Sequence, residues 1–164
     1  MAEEGGCATQ LPEAAAGTHV VAAYFSCHSG SPGQLYRVYR VVSDTVDPVE
    51  AAIGALVSGP TMAERERGLR SSFGPWTENA LLDVQRVGDT VHIDFARFPN
   101  AILDDPGATS FLPPGLMGDL TWTVFRQFPD VAAIRLSFDG SEQAFWSWLG
   151  GPVRAFTRRD WERV

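Results

Sequence analysis

The sequence predicts an α+β fold whose elements follow the order ββαββαβ. Two pairs of short apolar segments, rich in β-branched and aromatic residues and separated by turn residues, predict two β-hairpins. Two other segments carry apolar residues at the spacing of a helix face, and a last apolar run of strand length follows the second of them. With 164 residues, of which 45% are hydrophobic and 20% are charged, the chain is long enough for one domain with its own core.

The charge of the chain argues against two classes of partner. Its formal net charge is −7, and all 13 basic side chains are arginines, so no lysine-rich tract offers itself to nucleic acid or to an anionic membrane. The apolar runs also fall short of the roughly 20 residues that a membrane-spanning helix needs. We therefore expect no nucleic-acid partner and no direct membrane span.

The first 17 residues differ in composition from the rest of the chain. They are rich in Ala, Gly and Glu and have few side chains to bury, so we predict a flexible leader over residues 1–17 and a single domain over residues 18–164. The leader has neither the basic region nor the apolar region of a signal sequence. We expect any signal sequence to be absent from this chain.

The first predicted hairpin joins residues 19–25 to residues 34–42. The first segment, HVVAAYF, is almost continuously apolar, which suits a strand buried on both faces. The second, QLYRVYRVV, alternates β-branched and aromatic residues with arginines, which suits a partner strand with one edge or face in water.

The first predicted helix begins after Asp47 and ends before Gly59. Asp47 can serve as the N-cap, Pro48 fits the first helical position, and Glu50 can complete a capping box. One apolar stripe then follows at helical spacing, formed by Val49, Ala52, Ile53, Leu56 and Val57. Gly59 can adopt the left-handed conformation at C′ and Pro60 cannot continue the helix, so this Gly-Pro pair is a stop signal. A phosphate loop would place its glycines before a helix, which excludes that interpretation.

The rest of the chain predicts one further hairpin, one further helix and a last strand. Residues 80–95 form the hairpin, with Gly88 at the first position of a type II′ turn. A proline-rich loop over residues 99–115 precedes a helix over residues 116–128, and residues 131–138 form the strand. The segment after residue 138 is aromatic without a clear period.

Three stretches of the sequence resemble a known family. They are PVEAAIGALVSGPTMAERERGLRSSF, with its alanine-rich helix ended by Gly-Pro-Thr, the hairpin LLDVQRVGDTVHIDFARF, and the closing run VFRQFPDVAAIRLSFDG. Together they are similar to the GerMN domain of sporulation and spore germination proteins, which also occurs in actinobacterial envelope lipoproteins. The resemblance covers roughly residues 20–158.

The resemblance implies a fold, a location and a kind of function. The fold would be a mixed β-sheet packed against two main helices, similar to ring-building-motif domains. The domain would act outside the cytoplasmic membrane, as a protein-interaction or assembly module of the cell envelope. No catalytic residues are established for the family, so none is carried over. The sequence departs from the family at residues 71–80 and in its insertion at residues 99–115. A function specific to this chain would lie in these two segments.

Possible metal ligands are few. His92 and Asp94 share one face of the second hairpin, and His28 lies beside Cys27. No third ligand stands at a motif spacing, and Asp94 matches a structural position of the family. We therefore predict no metal and no cofactor.

Possible nucleophiles and acids also lack the context that an enzyme needs. Ser71 and Ser72 have no G-x-S-x-G context, so neither is held on the strained turn that exposes a catalytic serine. Asp104 and Asp105 could be paired carboxylates of a glycosidase, but adjacent aspartates in a proline-rich loop more often serve turns. We predict that the protein is not an enzyme.

Aromatic side chains near loops give a candidate interaction surface. Its residues are Trp76, Phe111, Trp146 and Trp148. Exposed aromatics anchor protein partners or stack on sugar rings, so the surface suits an envelope protein or, as the alternative, peptidoglycan. A third interpretation is that Trp146 and Trp148 only close the open end of the core.

The two cysteines, Cys7 and Cys27, suggest a link between the leader and the domain. Cys7 lies in the leader and Cys27 follows the first strand, so a disulfide could hold the leader against the domain. Such a bridge suits the oxidising location that the family resemblance implies. The alternative is a pair of unrelated thiols, with Cys27 buried as a small apolar side chain.

Overall fold

A computed structural model describes residue 7 and residues 9–28, 34–98 and 113–163 of the chain. The elements are β1 (Thr18–Cys27), β2 (Leu35–Ser43), α1 (Pro48–Ser58), α2 (Met62–Glu66), β3 (Leu69–Arg70), β4 (Leu81–Val87), β5 (Thr90–Phe95), α3 (Pro113–Phe125), β6 (Ala133–Phe138), α4 (Glu142–Leu149), β7 (Phe156–Thr157) and α5 (Arg158–Glu162). This order contains the predicted ββαββαβ series, and the α+β class is confirmed. Most of the predicted 99–115 insertion lies outside the described residues.

The described strands form two sheets, and only the second is mixed. The first has the order β2-β1-β3 and is antiparallel, with Thr18 opposite Ser43 at one end of the long hairpin. The second has the order β4-β5-β6-β7, in which β5 and β6 are parallel and joined through α3. The predicted turn at Gly88 is confirmed, since its φ is +63° and Val87 pairs with Thr90 across it.

Side chains of α3 and of the residues just after it occupy the edge of β1 where β3 has ended. The Gln127 side-chain amide accepts a hydrogen bond from the Ala22 N–H at 3.0 Å and donates one to the Ala22 carbonyl at 2.6 Å. The Tyr24 N–H donates to the Thr123 hydroxyl at 3.1 Å. These bonds satisfy backbone groups that a neighbouring strand would otherwise satisfy. They explain why β1 does not continue into the second sheet.

The first helix has the predicted N-cap, apolar stripe and stop, but within the described residues the Glu50 side chain does not complete the predicted capping box. The Asp47 carboxylate accepts hydrogen bonds from the N–H groups of Val49 and Glu50, and Pro48 occupies the first turn. All five residues of the predicted stripe are buried, where the helix packs against β1 and α3. The helix ends at Gly59, whose φ is +73° and whose N–H donates to the Leu56 carbonyl. Its ψ of −176° differs from that of the predicted left-handed conformation, about +47°.

The second predicted helix differs from α3 at both ends. It begins three residues earlier, at Pro113, because proline is well tolerated in a first helical turn. It ends at Phe125, before the predicted limit at residue 128, and Gln127 turns towards β1.

The C-terminal quarter contains helices that the sequence did not predict. Ser141 caps α4 by accepting from the Ala144 N–H, and Gly150, with a φ of +92°, ends it. Both signals are present in the sequence, but a two-turn helix with three aromatic residues shows no clear period. A Thr157 capping box then starts α5.

Cys7 and Cys27 form a disulfide, as predicted. Their Cα atoms are 6.1 Å apart, and Cys7 is fully buried in the core. The Thr9 hydroxyl donates to the Arg37 carbonyl of β2, so the described part of the leader also contacts the first sheet. The predicted division into a leader and one domain stays a prediction.

Removing the disulfide should destabilise the fold. The sequence separation is 20 residues, and closing a loop of that size stabilises a protein by at most about 3 kcal/mol in the chain-entropy model. We expect the double variant Cys7→Ser, Cys27→Ser to lower the free energy of urea unfolding by about 2–3 kcal/mol. Thiol titration of the unfolded, unreduced wild type should find no free thiol, and two free thiols would contradict the bridge.

Candidate functional site

Two neighbouring surface pockets share one exposed arginine. The larger, about 350 Å³, is lined by Arg97, Phe138, Ala144, Ser147 and Trp148. The smaller, about 190 Å³, is lined by Pro75, Trp76, Asn79, Ala80, Ala96 and Arg97. We call Trp76, Arg97 and Trp148 the aromatic–arginine face. It brings together two of the predicted surface tryptophans, which lie 72 positions apart in the chain.

The Trp148 ring packs against the core on one side and is exposed to solvent on the other. Its ring meets Phe98, Phe138 and Phe145 at centroid distances of 5.5, 5.4 and 5.8 Å. These contacts fix the indole on α4, and 37% of the residue remains exposed. A large side chain that is held rigidly and half-open to water loses little entropy when a partner binds it.

Trp76 is also held in place by its neighbours. Its indole N–H donates to the Ser72 carbonyl at 3.1 Å, and the Arg65 guanidinium lies 4.9 Å from the ring centroid. Gly74 permits this stack, because a Cβ there would lie 2.5 Å from the Arg65 guanidinium and 2.7 Å from the Trp76 ring. The Gly74-Pro75 segment, which departs from the family pattern, therefore positions one edge of the face.

Arg97 follows β5 and is exposed between the two pockets. The ion pairs among the described residues involve other arginines, and no carboxylate of these residues forms an ion pair with Arg97. The described linings of both pockets also contain no acidic side chain. The guanidinium thus stands beside apolar surface without a local counter-charge from the described part of the chain.

The other two members of the predicted surface lie elsewhere. Trp146 is only 3% exposed, and its ring packs edge-to-face on Phe145, so it closes the core instead of forming a surface. The candidate surface is corrected accordingly. Phe111 lies outside the described residues, as do Asp104 and Asp105.

A third cleft offers a weaker site. It measures about 440 Å³ and lies where the leader meets β2 and α2. The carboxylate that lines it, Glu64, already binds Arg40 through two hydrogen bonds of 2.8 and 2.6 Å. The hydrogen bonds from Arg40 and Thr61 lower the pKa of Glu64 even though burial opposes them. This carboxylate is therefore a structural ion-pair member.

Of the residues weighed as metal ligands, Asp94 makes structural hydrogen bonds instead. The Asp94 carboxylate accepts hydrogen bonds from the Ser137 hydroxyl at 2.6 Å and from the Gly140 N–H at 2.8 Å, which ties β5 to the turn before α4. His92 is exposed on the same strand face. Among the described residues no three His, Cys, Asp or Glu side chains are grouped as metal ligands.

A buried carboxyl, Asp119, lies behind the face. Asp119 accepts a hydrogen bond of 2.7 Å from the Ser71 hydroxyl and another from the Ser72 N–H. Burial raises the pKa of Asp119 to about 7, because these two hydrogen bonds only partly offset the loss of water. Since the Ser72 carbonyl accepts a hydrogen bond from the half-buried Trp76, the Asp119 carboxyl and this tryptophan are joined through one segment of backbone.

Asp119 should make the stability of the protein depend on pH. The unfolded chain releases this proton near pH 3.8, whereas the folded protein keeps it until about pH 7. Between these values the folded state binds more protons, so this group makes stability fall as pH rises, by at most about 1.4 kcal/mol per pH unit. We expect Asp119→Asn to remove that fall, so that its stability relative to wild type increases from pH 4 to pH 7. Urea unfolding at several pH values measures this, and parallel curves would contradict it.

A protein-family model matches most of the part of the chain that resembles the GerMN domain in sequence. The Germane model, described as sporulation and spore germination, matches residues 22–144, which is well over half of the sequence. The chain belongs to the sporulation and spore germination family. The resemblance of its three sequence blocks to the GerMN domain is thereby confirmed.

Solved structures agree with a GerMN-type fold. The first GerMN domain of the sporulation protein GerM from Bacillus subtilis is similar with a TM-score of 0.52 and 18% identity, covering 87% of this chain and 99% of that one. The tandem GerMN domains of GerM give the same TM-score and identity, covering 81% of this chain and 43% of that one, so this chain spans less than half of the tandem structure. No curated protein is significantly similar in sequence.

The likeness to GerM extends to the fold alone, since identity is 18%. The aromatic–arginine face is therefore a feature that this chain's own geometry supplies.

Within the described residues of this GerMN domain, none of the helices has the length and apolar character required to cross a bilayer.

Sequence reasoning missed two residues of this region. Arg97 follows a strand in a stretch with no motif, and only the fold places it between Trp76 and Trp148. Asp119 lies in a helix whose apolar stripe was recognised, and a single carboxylate beside that stripe gives no sign of being buried.

Proposed function

We propose that this GerMN domain is a non-catalytic, extracytoplasmic protein-interaction or assembly module of the cell envelope. The observation that carries the proposal is the aromatic–arginine face. Tryptophan and arginine are the residues that most often dominate the energy of protein interfaces, and here two tryptophans flank one arginine on a fixed scaffold. The pockets on either side of Arg97 give a partner's side chains places to insert.

The absence of catalysis is part of the proposal, and the polar groups of the region support it. The Ser71 hydroxyl is buried, donates to Asp119 and accepts from the Phe73 N–H at 3.1 Å, so it is committed to structure. The Asp94 carboxylate is similarly committed to two hydrogen bonds. Neither group is among the described residues that line the pockets beside Arg97.

The Cys7–Cys27 disulfide supports the extracytoplasmic location. Disulfides form and persist in oxidising compartments and are rare in the bacterial cytoplasm. The family's role in sporulation and spore germination agrees with a protein of the envelope.

Peptidoglycan is the competing ligand, because exposed tryptophans also stack on sugar rings. Two features favour a protein. Arg65 covers one face of the Trp76 ring, and the Trp148 ring is embedded among three phenylalanines and exposes only part of its surface. Neither indole is a freely exposed platform of the kind that stacks on a sugar.

A retention assay separates the two ligands. We expect the wild-type domain not to sediment with purified insoluble peptidoglycan, and to capture one identified protein from an envelope extract. Trp148→Ala should lose that capture, whereas Met62→Ala, at a 79% exposed apolar residue of α2, should keep it. Sedimentation with peptidoglycan that disappears in Trp76→Ala would replace the protein ligand with a glycan.

A further inference from the structure

We infer that the aromatic–arginine face recognises a carboxylate flanked by apolar side chains, as in an acidic segment of a partner protein. The inference rests on the proposed function and names the chemistry that the same face selects. Its basis is the position of Arg97, the residue common to both pockets.

Charge complementarity identifies the central group of the ligand. The chain as a whole carries a net charge of −7, yet the described linings of both pockets hold one guanidinium and no acid. An arginine presents a planar set of donors that matches a carboxylate with two parallel hydrogen bonds. Beside the low-polarity surface of two indoles, such a bond is stronger than it would be in open water.

Several other arginines of the chain bind carboxylates. Arg40 and Arg135 each bind a glutamate through two hydrogen bonds, to Glu64 and Glu142 respectively. Arg86 binds Asp130 at 2.6 Å. A carboxylate from a partner would give Arg97 the same kind of contact.

The linings of the two pockets identify the groups on either side of the carboxylate. The larger pocket is bordered by Trp148, Phe138 and Ala144, and the smaller by Trp76, Pro75 and Ala80. Both walls are mainly hydrocarbon and aromatic, and they suit apolar side chains. The larger pocket should take the bulkier of the two. A segment with Glu or Asp between two apolar residues fits this arrangement.

Blocked peptides test the inference directly. The probes are five-residue peptides with a central Glu and with Leu or Phe on either side of it, each with a counterpart in which Gln replaces Glu. We expect the wild-type domain to bind the best Glu peptide at least about tenfold more tightly than its Gln counterpart, since a charge-assisted bond replaces a neutral one. Tryptophan fluorescence or NMR titration measures both dissociation constants.

Variants of single arginines complete the test. Arg97→Gln should remove the preference for Glu without changing the melting temperature, because the side chain is exposed. Arg159→Gln, at another exposed arginine, should keep the preference. Equal binding of Glu and Gln peptides, no binding of any peptide, or a preference that survives in Arg97→Gln would each overturn the inference. If the face still captures a protein in those cases, the proposed function stands and only its carboxylate chemistry fails.

Discussion

Replacing Gly59 with valine should lower the stability of the domain by about 4 kcal/mol, which corresponds to a fall of roughly 10 °C in melting temperature for a protein of this size. Gly59 has a φ of +73° and a ψ of −176°, a combination that glycine alone adopts readily. A Cβ at this position would also lie 2.5 Å from the Phe73 carbonyl oxygen and 2.6 Å from the Gly74 Cα. Because these are backbone atoms, no side-chain rotation relieves the clash.

Gly54 in the same helix provides the matched control for Gly59→Val. It lies within α1, and a Cβ there would meet nothing within 4 Å. Gly54→Ala should therefore be neutral or should stabilise the domain by up to about 1 kcal/mol, as a glycine-to-alanine change in a helix interior does. A melting temperature of Gly59→Val close to that of wild type would mean that α1 does not end against the Phe73–Gly74 backbone.

Replacing Arg158 with alanine should lower the free energy of unfolding by about 3 kcal/mol or more. Its guanidinium donates four hydrogen bonds of 2.7–3.0 Å to the carbonyls of Phe125, Phe128 and Val131, at and beyond the end of α3. It also lies 5.0 Å from the Phe125 ring centroid. Bonds from a charged donor contribute more than neutral ones, and removing the donor leaves partly buried carbonyls without it.

The neighbouring arginine separates this effect from a general loss of positive charge. Arg159 is exposed on the same short helix, so Arg159→Ala should change stability by no more than about 0.5 kcal/mol. Arg158→Lys should recover only part of the loss, because an ammonium cannot reach three carbonyls in the guanidinium's planar geometry. Equal effects of the two alanine variants in urea unfolding would contradict the anchoring role of Arg158.

Elements with local signals could be predicted from the sequence. The cap, the stripe and the stop of α1 are encoded within 14 residues, from Asp47 to Pro60, and all three are present in the structure. The β4–β5 hairpin likewise depends on Gly88 and on the alternation around it. In both cases the contacts that decide the element connect residues close in sequence.

Features that depend on distant contacts could not be predicted. The strands divide into two sheets because Gln127 and Thr123 bind β1, about 100 residues away. The short C-terminal elements are held by Arg158, which binds carbonyls 27–33 positions earlier. The aromatic–arginine face was predicted only in part. Trp76 and Trp148 were predicted as surface aromatics, but only the fold places Arg97 between them.

Site-specific photo-crosslinking most directly tests the claim that the aromatic–arginine face binds a protein partner. In two test variants, a photoreactive residue replaces Asn79 or Ser147, which line the two pockets. In two control variants, it replaces Val41 of β2 or Val87 of β4, which are 47% and 61% exposed. In cells that naturally produce the domain, we expect Asn79 and Ser147 to crosslink to the same protein, with neither valine position doing so at a comparable yield. Crosslinks to a protein from Val41 or Val87 alone would place the binding surface elsewhere and contradict the account.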